Sequence, residues 1–360
     1  MTNGSTGTRR AAGMTVGIDV SDRFSSLCFL EDEGEVIEES RVRTTAPALQ
    51  RRFGVLSPCR VVLEVGTHSP WMSRLLGSLG HEVIVANPRQ VRLIAESDRK
   101  RDRADAEQLA RLGRVDPSLL RPIQHRGEDA QHALAILRAR DALVRTRTNL
   151  INHVRGAVKA VGGRVPACSA ATFHRKAPAH VPGALKPALL QLLTTLADLT
   201  DRIRAYDHQV ETAMVERYPA GQILRQVPGV GSLTALAYLL VIEDPTRFRK
   251  SREVGPYLGL VPRQSQSGDR EPQLSITKAG DPLLRRLLVQ SAHYILGPFG
   301  PDSDLRCWGL RLAGSGSSRG KKRAVVAVAR KLAVLLHHLW VTGEVYELIA
   351  AEEPVAARVD

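Results

Sequence analysis

Residues 15–43 read TVGIDVSDRFSSLCFLEDEGEVIEESRVR, three β-rich runs parted by short polar breaks. Thr15 to Val20, Phe24 to Leu30 and Glu35 to Arg43 are rich in branched and aromatic residues. Ser21-Asp22 and Asp32-Glu33-Gly34 between them are turn-forming. The pattern predicts a β-meander. It then changes to a helix over Ala48 to Leu56, a strand over Arg60 to Val65, a helix over Pro70 to Leu79, a strand over Glu82 to Ala86 and helical residues ending near Leu112.

Three strands followed by helix–strand alternation match the order of a ribonuclease-H-like α/β sheet, expected over residues 14–118. Two carboxylates fall on its strands. Asp19 sits in Gly-Ile-Asp-Val and Glu64 in Val-Val-Leu-Glu-Val-Gly, each among apolar neighbours. A carboxylate in a buried strand is costly unless it is paired or binds a metal. Singly, each is equally readable as a salt-bridged strand residue. Together they occupy the first and fourth strands, which are neighbours in that fold. Asp102 and Asp105 stand three apart at the start of a helix, so both reach one side of it. Acids there also complement the helix dipole, a common structural use. Four carboxylates of this kind suit Mg2+ or Mn2+, and two such ions can activate the attacking oxygen and stabilise the leaving one in phosphoryl transfer.

Downstream, the pattern becomes helical. Leu189, Leu192, Leu196, Leu199, Ile203, Tyr206, Val210 and Ala213 alternate spacings of three and four, a heptad seam whose expected partner carries Leu137, Val144, Ile151 and Val158. Residues 119–218 are therefore expected to form a helical coiled-coil region, its two helices joined through a Pro/Gly/His-containing stretch from Gly162 to Gly183. The first helix is basic: Arg138, Arg140, Arg145, Arg147, Arg155 and Lys159 face only Asp141. Phosphate contact and a solvated helix face both fit. Residues 219–343 open with Pro-Gly-Val-Gly at 228–231, a helix-hairpin-helix-like turn in which Gly229 and Gly231 can bring backbone N–H groups to a phosphate. A plain helix–helix turn uses the same glycines. A loop-rich segment follows from Asp244 to Gly280, then a helix from Pro282 to Leu296, a flexible Gly314 to Ser318 stretch and a helix from Lys321 to Trp340. Ser267 lies in the loop among Arg263, Lys278, Arg285 and Arg286, and Lys321, Lys322 and Arg323 form a later basic cluster. By residue type alone, Ser267 is a turn serine.

The chain has 360 residues, 51 Lys and Arg against 37 Asp and Glu, and a net charge of +14. That excess points to a polyanionic partner, nucleic acid first. The apolar run from Val325 to Trp340 is broken by Arg330 and Lys331, so a membrane span is not expected. Residues 1–13 lack a signal peptide's apolar stretch and are expected to be a disordered tail, and 344–360 a C-terminal tail; a cytoplasmic protein is the expectation. Cys28, Cys59, Cys168 and Cys307 have neither zinc-site spacing nor disulfide density, and are expected to be reduced and structural.

The motifs Gly-Ile-Asp-Val-Ser at 17–21, Leu-Glu-Val-Gly at 63–66, Asp-Arg-Ala-Asp-Ala at 102–106, Pro-Gly-Val-Gly at 228–231 and Gly-Leu-Val-Pro-Arg…Ser-Gly…Ile-Thr-Lys-Ala-Gly-Asp…Leu-Arg from 259 occur in that order. The span from Thr15 to about Leu348 resembles the DEDD insertion-sequence transposases with a serine C-terminal domain, the bridge-RNA-guided recombinases of the IS one-hundred-ten family. The resemblance implies a Holliday-junction-resolvase-like domain in which Asp19, Glu64, Asp102 and Asp105 bind metal. It implies a serine domain whose Ser267 forms a covalent link to DNA, with Ser265 and Ser275 as nearby alternatives. It further implies donor and target DNA as substrates, an element-encoded noncoding guide RNA, and homodimers that assemble into tetramers. Two other readings compete: a metal-dependent junction nuclease with water as nucleophile, and a non-catalytic nucleic-acid-binding protein.

Overall fold

The computed structural model describes residues 13–87, 102–264, 274–314 and 317–348; the side chains of Asp102 and Arg103 lie outside the described set. Two compact units divide the chain, residues 1–126 and 127–360.

The first unit is α/β. Strands β1 (Met14–Asp19), β2 (Phe24–Glu31), β3 (Val36–Arg43), β4 (Arg60–Glu64) and β5 (Glu82–Ala86) form one mixed sheet in the order β3-β2-β1-β4-β5. The meander β1-β2-β3 is antiparallel, whereas β4 and β5 run parallel to β1. Helices α1 (Ala46–Phe53) and α2 (Ser69–Ser78) make the crossovers, and α3 (Asp102–Val115) follows β5. Because successive strand side chains point to opposite faces, the sheet has two cores. Val16, Ile18, Leu27, Phe29, Val61 and Leu63 pack with Leu49 and Phe53 of α1 and Met72 and Leu76 of α2. On the opposite face Cys28 and Leu30 meet Ala106 and Ala110 of α3, and Val62, Ile84 and Ala86 meet Leu109.

Two glycines allow that second layer. A Cβ on Gly17 of β1 would stand 1.9 Å from the Ala106 carbonyl oxygen and 2.7 Å from the Ala110 nitrogen. A Cβ on Gly113 of α3 would stand 2.3 Å from Val62 Cγ2. Helix backbone thus lies directly on the central strands. Its direction follows from its far end: Arg60, which opens β4, donates to the Gly113 carbonyl at 2.9 Å, and Arg111 and Arg114 donate to the carbonyls of Gly34 and Asp32 in the β2–β3 turn. The carboxyl end of α3 therefore lies over the starts of β1 and β4. Its amino end lies over their carboxyl ends.

The second unit is helical. Its long helices α4 (Glu128–Ala160) and α6 (Lys186–Arg217) run antiparallel, since Leu134 and Leu137 share a core with Val210 and Met214 while Ile151, Val154 and Val158 share another with Leu189, Leu193 and Leu196. The short α5 (Phe173–Lys176) closes the second core. At position 193 the buried leucine is one residue beyond the Leu192 of the expected seam, which is only half-buried, as are Val144 and Tyr206. Between Leu137 and Ile151 helix α4 buries no residue fully.

The remaining helices, α7 (Ala220–Arg225), α8 (Ser232–Ile242), α9 (Val254–Tyr257), α10 (Pro282–Leu296), α11 (Asp304–Ala313) and α12 (Ser318–Thr342), surround one large core. Every residue of α8 from Thr234 to Ile242 is buried, and Tyr238 at its centre donates its hydroxyl to the Ala333 carbonyl at 2.7 Å. Helix α12 starts at Ser318, before the expected Lys321, because Ser317 accepts from the Gly320 N–H and caps it. Continuous over 25 residues, it is long and apolar enough to cross a membrane by length and composition, despite Arg330 and Lys331. One side is nevertheless core: Val328, Ala329, Leu332, Ala333 and Leu336 are wholly buried.

Gly17→Ala is expected to destabilise the protein by about 2–3 kcal/mol, as overpacking does when backbone is the obstacle. Gly77→Ala, on an exposed part of α2 where nothing lies within 4 Å of the new Cβ, should be neutral or stabilising by roughly 0.5–1 kcal/mol. Urea unfolding of the two variants checks both.

Candidate active site

Asp19 ends β1 and Glu64 ends β4. The parallel register aligns Gly17 with Val62 and Ile18 with Leu63, so the next residues, Asp19 and Glu64, are side by side. Both share the face of Gly17 and Val62 that packs on α3, and both are half-buried. The carboxyl ends of β1 and β4 are where the amino end of α3 lies, and Asp105, half-buried, stands on that end one residue before Ala106. Asp102 opens the helix one turn earlier on the line of Ala106 and Ala110. Among the described residues, Asp19, Glu64 and Asp105 included and the Asp102 side chain not, no three acid, His or Cys side chains are close enough to hold an ion.

Two further features of this corner escape the sequence reading. Ser26, buried to 4% exposure, is the register partner of Asp19 on β2. It faces the α3 side with Cys28 and Leu30, but a serine within a strand carries no signal of its own. The loops that follow the two carboxylates are also tied together. Trp71 donates its indole N–H to His68 Nδ1 at 3.1 Å, which leaves His68 Nε2 to donate to Asp22 at 3.3 Å. Asp22 follows β1 and His68 follows β4. Ser69 accepts from the Gly66 N–H and donates to the Gly66 carbonyl, so His125 Nε2 at 2.8 Å is the donor to Ser69 Oγ. Burial first, then Arg74 and Arg126, lowers the His125 pKa and favours the neutral ring.

In the second unit, Ser265 and Ser267 lie outside the described residues. The segments on either side are joined: Pro262 bridges Ile276, Arg263 N–H donates to the Ser275 carbonyl at 3.0 Å and Thr277 N–H to the Val261 carbonyl at 2.9 Å. Gly259, at φ +66°, and Gly280 permit this closeness. A Cβ on Gly259 would stand 2.2 Å from the Ala279 nitrogen, and one on Gly280 2.4 Å from the Tyr257 carbonyl oxygen. Lys278 is exposed at φ 54°. Ser275 is exposed, and its hydroxyl accepts from Arg263 at 3.0 Å. Arg285 donates to the Leu258 and Gly280 carbonyls, and Asp281 caps α10 by accepting from the N–H groups of Leu283 and Leu284. The Gly-Leu-Val-Pro-Arg and Ile-Thr-Lys-Ala-Gly-Asp motifs thus form a clamp at the base of residues 265–273.

Several arginines of α4 have partners within the fold. Arg138 pairs with Asp281 and Arg140 with Asp207, while Asp141 is shared by Arg145 and Arg286. Arg155 donates to the Val165 and Pro166 carbonyls and covers the Phe173 ring. Burial first, then Arg140, lowers the Arg147 pKa. Lys159 is exposed, as are Lys321, Lys322 and Arg323 on α12. At the turn between α7 and α8, Gly229 has φ +85°, a Cβ on it would stand 2.9 Å from Tyr294 Cδ1 and 3.2 Å from the Ser291 carbonyl oxygen, and Gly231 is the N-cap residue of α8.

Two family models match the chain. One, for the DEDD domain of IS110 elements and described as "Transposase", covers residues 16–162, and the other, "Transposase IS116/IS110/IS902 family", covers residues 221–303. The transposase for insertion sequence element IS1111A of Coxiella burnetii is 30% identical over 338 residues, spanning 92% of this chain and 90% of that protein. The transposase for element IS1328 of Yersinia enterocolitica is 31% identical over 285 residues, spanning 77% and 82%. A probable family 20 transposase of Pseudomonas aeruginosa is 32% identical over 292 residues, spanning 79% and 84%. The chain belongs to the IS110-type family of insertion-sequence transposases. Its activity is therefore that of a DNA transposase, and a DEDD domain implies dependence on a divalent metal.

The clamp yields a prediction. Asp281→Ala is expected to lose about 1 kcal/mol with the cap of α10. Asp281→Asn keeps an accepting oxygen and gives up only the pair with a largely exposed Arg138, so it should stay close to wild type. Thermal unfolding of the two variants separates cap from ion pair.

Proposed function

We propose that the first unit is a ribonuclease-H-like, Holliday-junction-resolvase-like domain in which Asp19, Glu64, Asp102 and Asp105 hold Mg2+ or Mn2+, and that Ser267 of the second unit is the nucleophile that links the protein to DNA. The observation that carries the reading is the corner itself. Asp19 and Glu64 are neighbours on one face and one edge of the sheet, and the helix that begins with Asp102 and Asp105 starts over that edge. Carboxylate oxygens suit hard cations of this kind. A bound ion would offset charge on the scissile phosphate and favour ionisation of the attacking hydroxyl.

The chemistry is two transesterifications. Ser267 Oγ attacks phosphorus, a seryl phosphodiester forms, and the bridging oxygen of the cut strand leaves as a hydroxyl. A hydroxyl of the recipient strand then attacks the same phosphorus, restoring a DNA phosphodiester and the free serine. No bond energy is lost to water between the steps. Lys278, Arg263 and Arg286 supply positive charge around the serine-bearing segment, and Arg285 holds the backbone that carries it. Gly229 and Gly231 bring the amino end of α8 to a phosphate.

By family likeness the reading extends to donor and target DNA bound through an element-encoded guide RNA, and to homodimers that pair into tetramers. The basic surface of the second unit suits such polyanions. The long α4–α6 hairpin, in which α4 buries no residue fully between Leu137 and Ile151, offers an assembly surface.

The test is covalent trapping. Full-length protein is incubated with Mg2+, RNA from the flanking locus and labelled element-end DNA, then resolved under denaturing conditions. Wild type is expected to give a protein–DNA adduct. Ser267→Ala should lose the adduct by at least about 1000-fold while still binding DNA, and Asp19→Asn and Glu64→Gln should lose it comparably, as losses of a nucleophile or of metal ligands do. Cleavage without an adduct would make water the nucleophile. An adduct that survives Ser267→Ala would move the assignment to Ser265 or Ser275.

A further inference from the structure

A groove of 1330 Å³ runs along α12 in the second unit, above the size of ordinary small-molecule pockets. Its apolar surface comes from Trp308 and Leu312 of α11, Leu274 and Ile276 of the clamp, and Val326 and Val334 of α12. Five cations also line it, Arg319, Lys322, Arg323, Arg330 and Lys331, and no acid among the described residues does. The cations succeed one another along the side of α12 that faces away from the core. Arg319 to Lys331 covers about 18 Å of helix. None of the five has an ion pair among the described residues.

Trp308 is set into this groove rather than buried beneath it. The next residue, Gly309, is pressed against α12, where a Cβ would stand 2.5 Å from Val328 Cγ2. That contact fixes α11 on α12 and leaves the half-buried indole at the groove wall. Lys331 Nζ lies 4.6 Å from the ring centroid. An aromatic ring flanked by cations is what binds an unpaired base and its phosphates; a duplex keeps its bases stacked and out of reach. An apolar peptide would leave the row of cations unmatched.

We infer that this groove binds single-stranded DNA, with one unpaired base of the cut strand stacked on Trp308 and the adjoining phosphates running along Arg319, Lys322 and Arg323. The cut strand is the occupant because Pro262, Leu274 and Ile276, which form the groove's edge, are the base of residues 265–273. Ser267 is three residues from Gln264, a chain reach of at most about 11 Å. The inference rests on the reading of Ser267 as nucleophile for its choice of strand. Stacking and phosphate contact are measurable without it.

The experiment measures binding of full-length protein to element-end oligonucleotides as single strand, duplex and single-stranded RNA of the same sequence, across a salt series. The expected result is that Trp308→Leu weakens single-stranded DNA binding about ten-fold, leaves the duplex unchanged, and that Trp308→Phe restores binding to within about two-fold. With Arg319, Lys322 and Arg323 all changed to Gln, the slope of log affinity against log salt should flatten by roughly 2 for single strands. Equal losses on single strand and duplex, no loss with Trp308→Leu, or an effect on RNA alone would overturn the inference. The adduct assay on wild-type protein is run in parallel. A missing adduct with an intact Trp308 effect would fail the serine reading, whereas a normal adduct with no Trp308 effect would fail the groove.

Discussion

Gly17 lets the backbone of α3 lie directly on β1, and the arrangement of the first unit depends on that contact. With any side chain at 17 the Ala106 carbonyl would have to move, and the helix carrying Asp102 and Asp105 would move with it. Gly113 repeats the device one strand over, against Val62. The two contacts, with Arg60, Arg111 and Arg114 gripping carbonyls at the far end, set both the height and the direction of the helix. Direction matters most: reversed, its acids would lie at the amino ends of β1 and β4, far from Asp19 and Glu64.

The second unit solves a different problem with similar means. Under the proposed reading of Ser267, the segment that carries the serine needs its two ends held. The clamp does this through backbone pairing at Pro262 and Ile276, with Gly259 and Gly280 allowing the two segments to touch and Arg285 and Asp281 anchoring them to α10. Most of the family motif downstream of Ser267 is thus explained by what it holds. The same clamp forms the wall of the groove along α12, which brings a cationic helix face to the serine-bearing segment.

Much of the first unit is legible in the sequence because its strands are rich in branched residues and are parted by turn residues, and because a carboxylate amid Gly-Ile-Asp-Val or Val-Val-Leu-Glu contradicts its neighbours. The helix α11 is not legible: Gly309 interrupts it, and Arg306 and Arg311 blur its apolar face, although that glycine is what lets α11 press on α12. The seam of α6 shifts from Leu192 to Leu193 where Phe173, Ala177 and Val181 join Ile151, Val154 and Val158 of α4 in one core. The acids that pair with the arginines of α4 were also out of view, since Asp207 and Asp281 come from distant positions. Linear charge counting overstated the free positive charge on that helix. Ser26 beside Asp19 emerges only from strand register.

The central claim is that the ends of β1 and β4 and the start of α3 together hold divalent metal. Iron(II) can take the place of such an ion and, with ascorbate and peroxide, cut the polypeptide around it. Applied to the full-length protein with element-end DNA, this should cleave near residues 19–22, 64–67 and 102–105 together, in a pattern that excess Mg2+ suppresses and Asp19→Asn removes. Cleavage confined to one of the three segments, or elsewhere and insensitive to Asp19→Asn, would contradict the account.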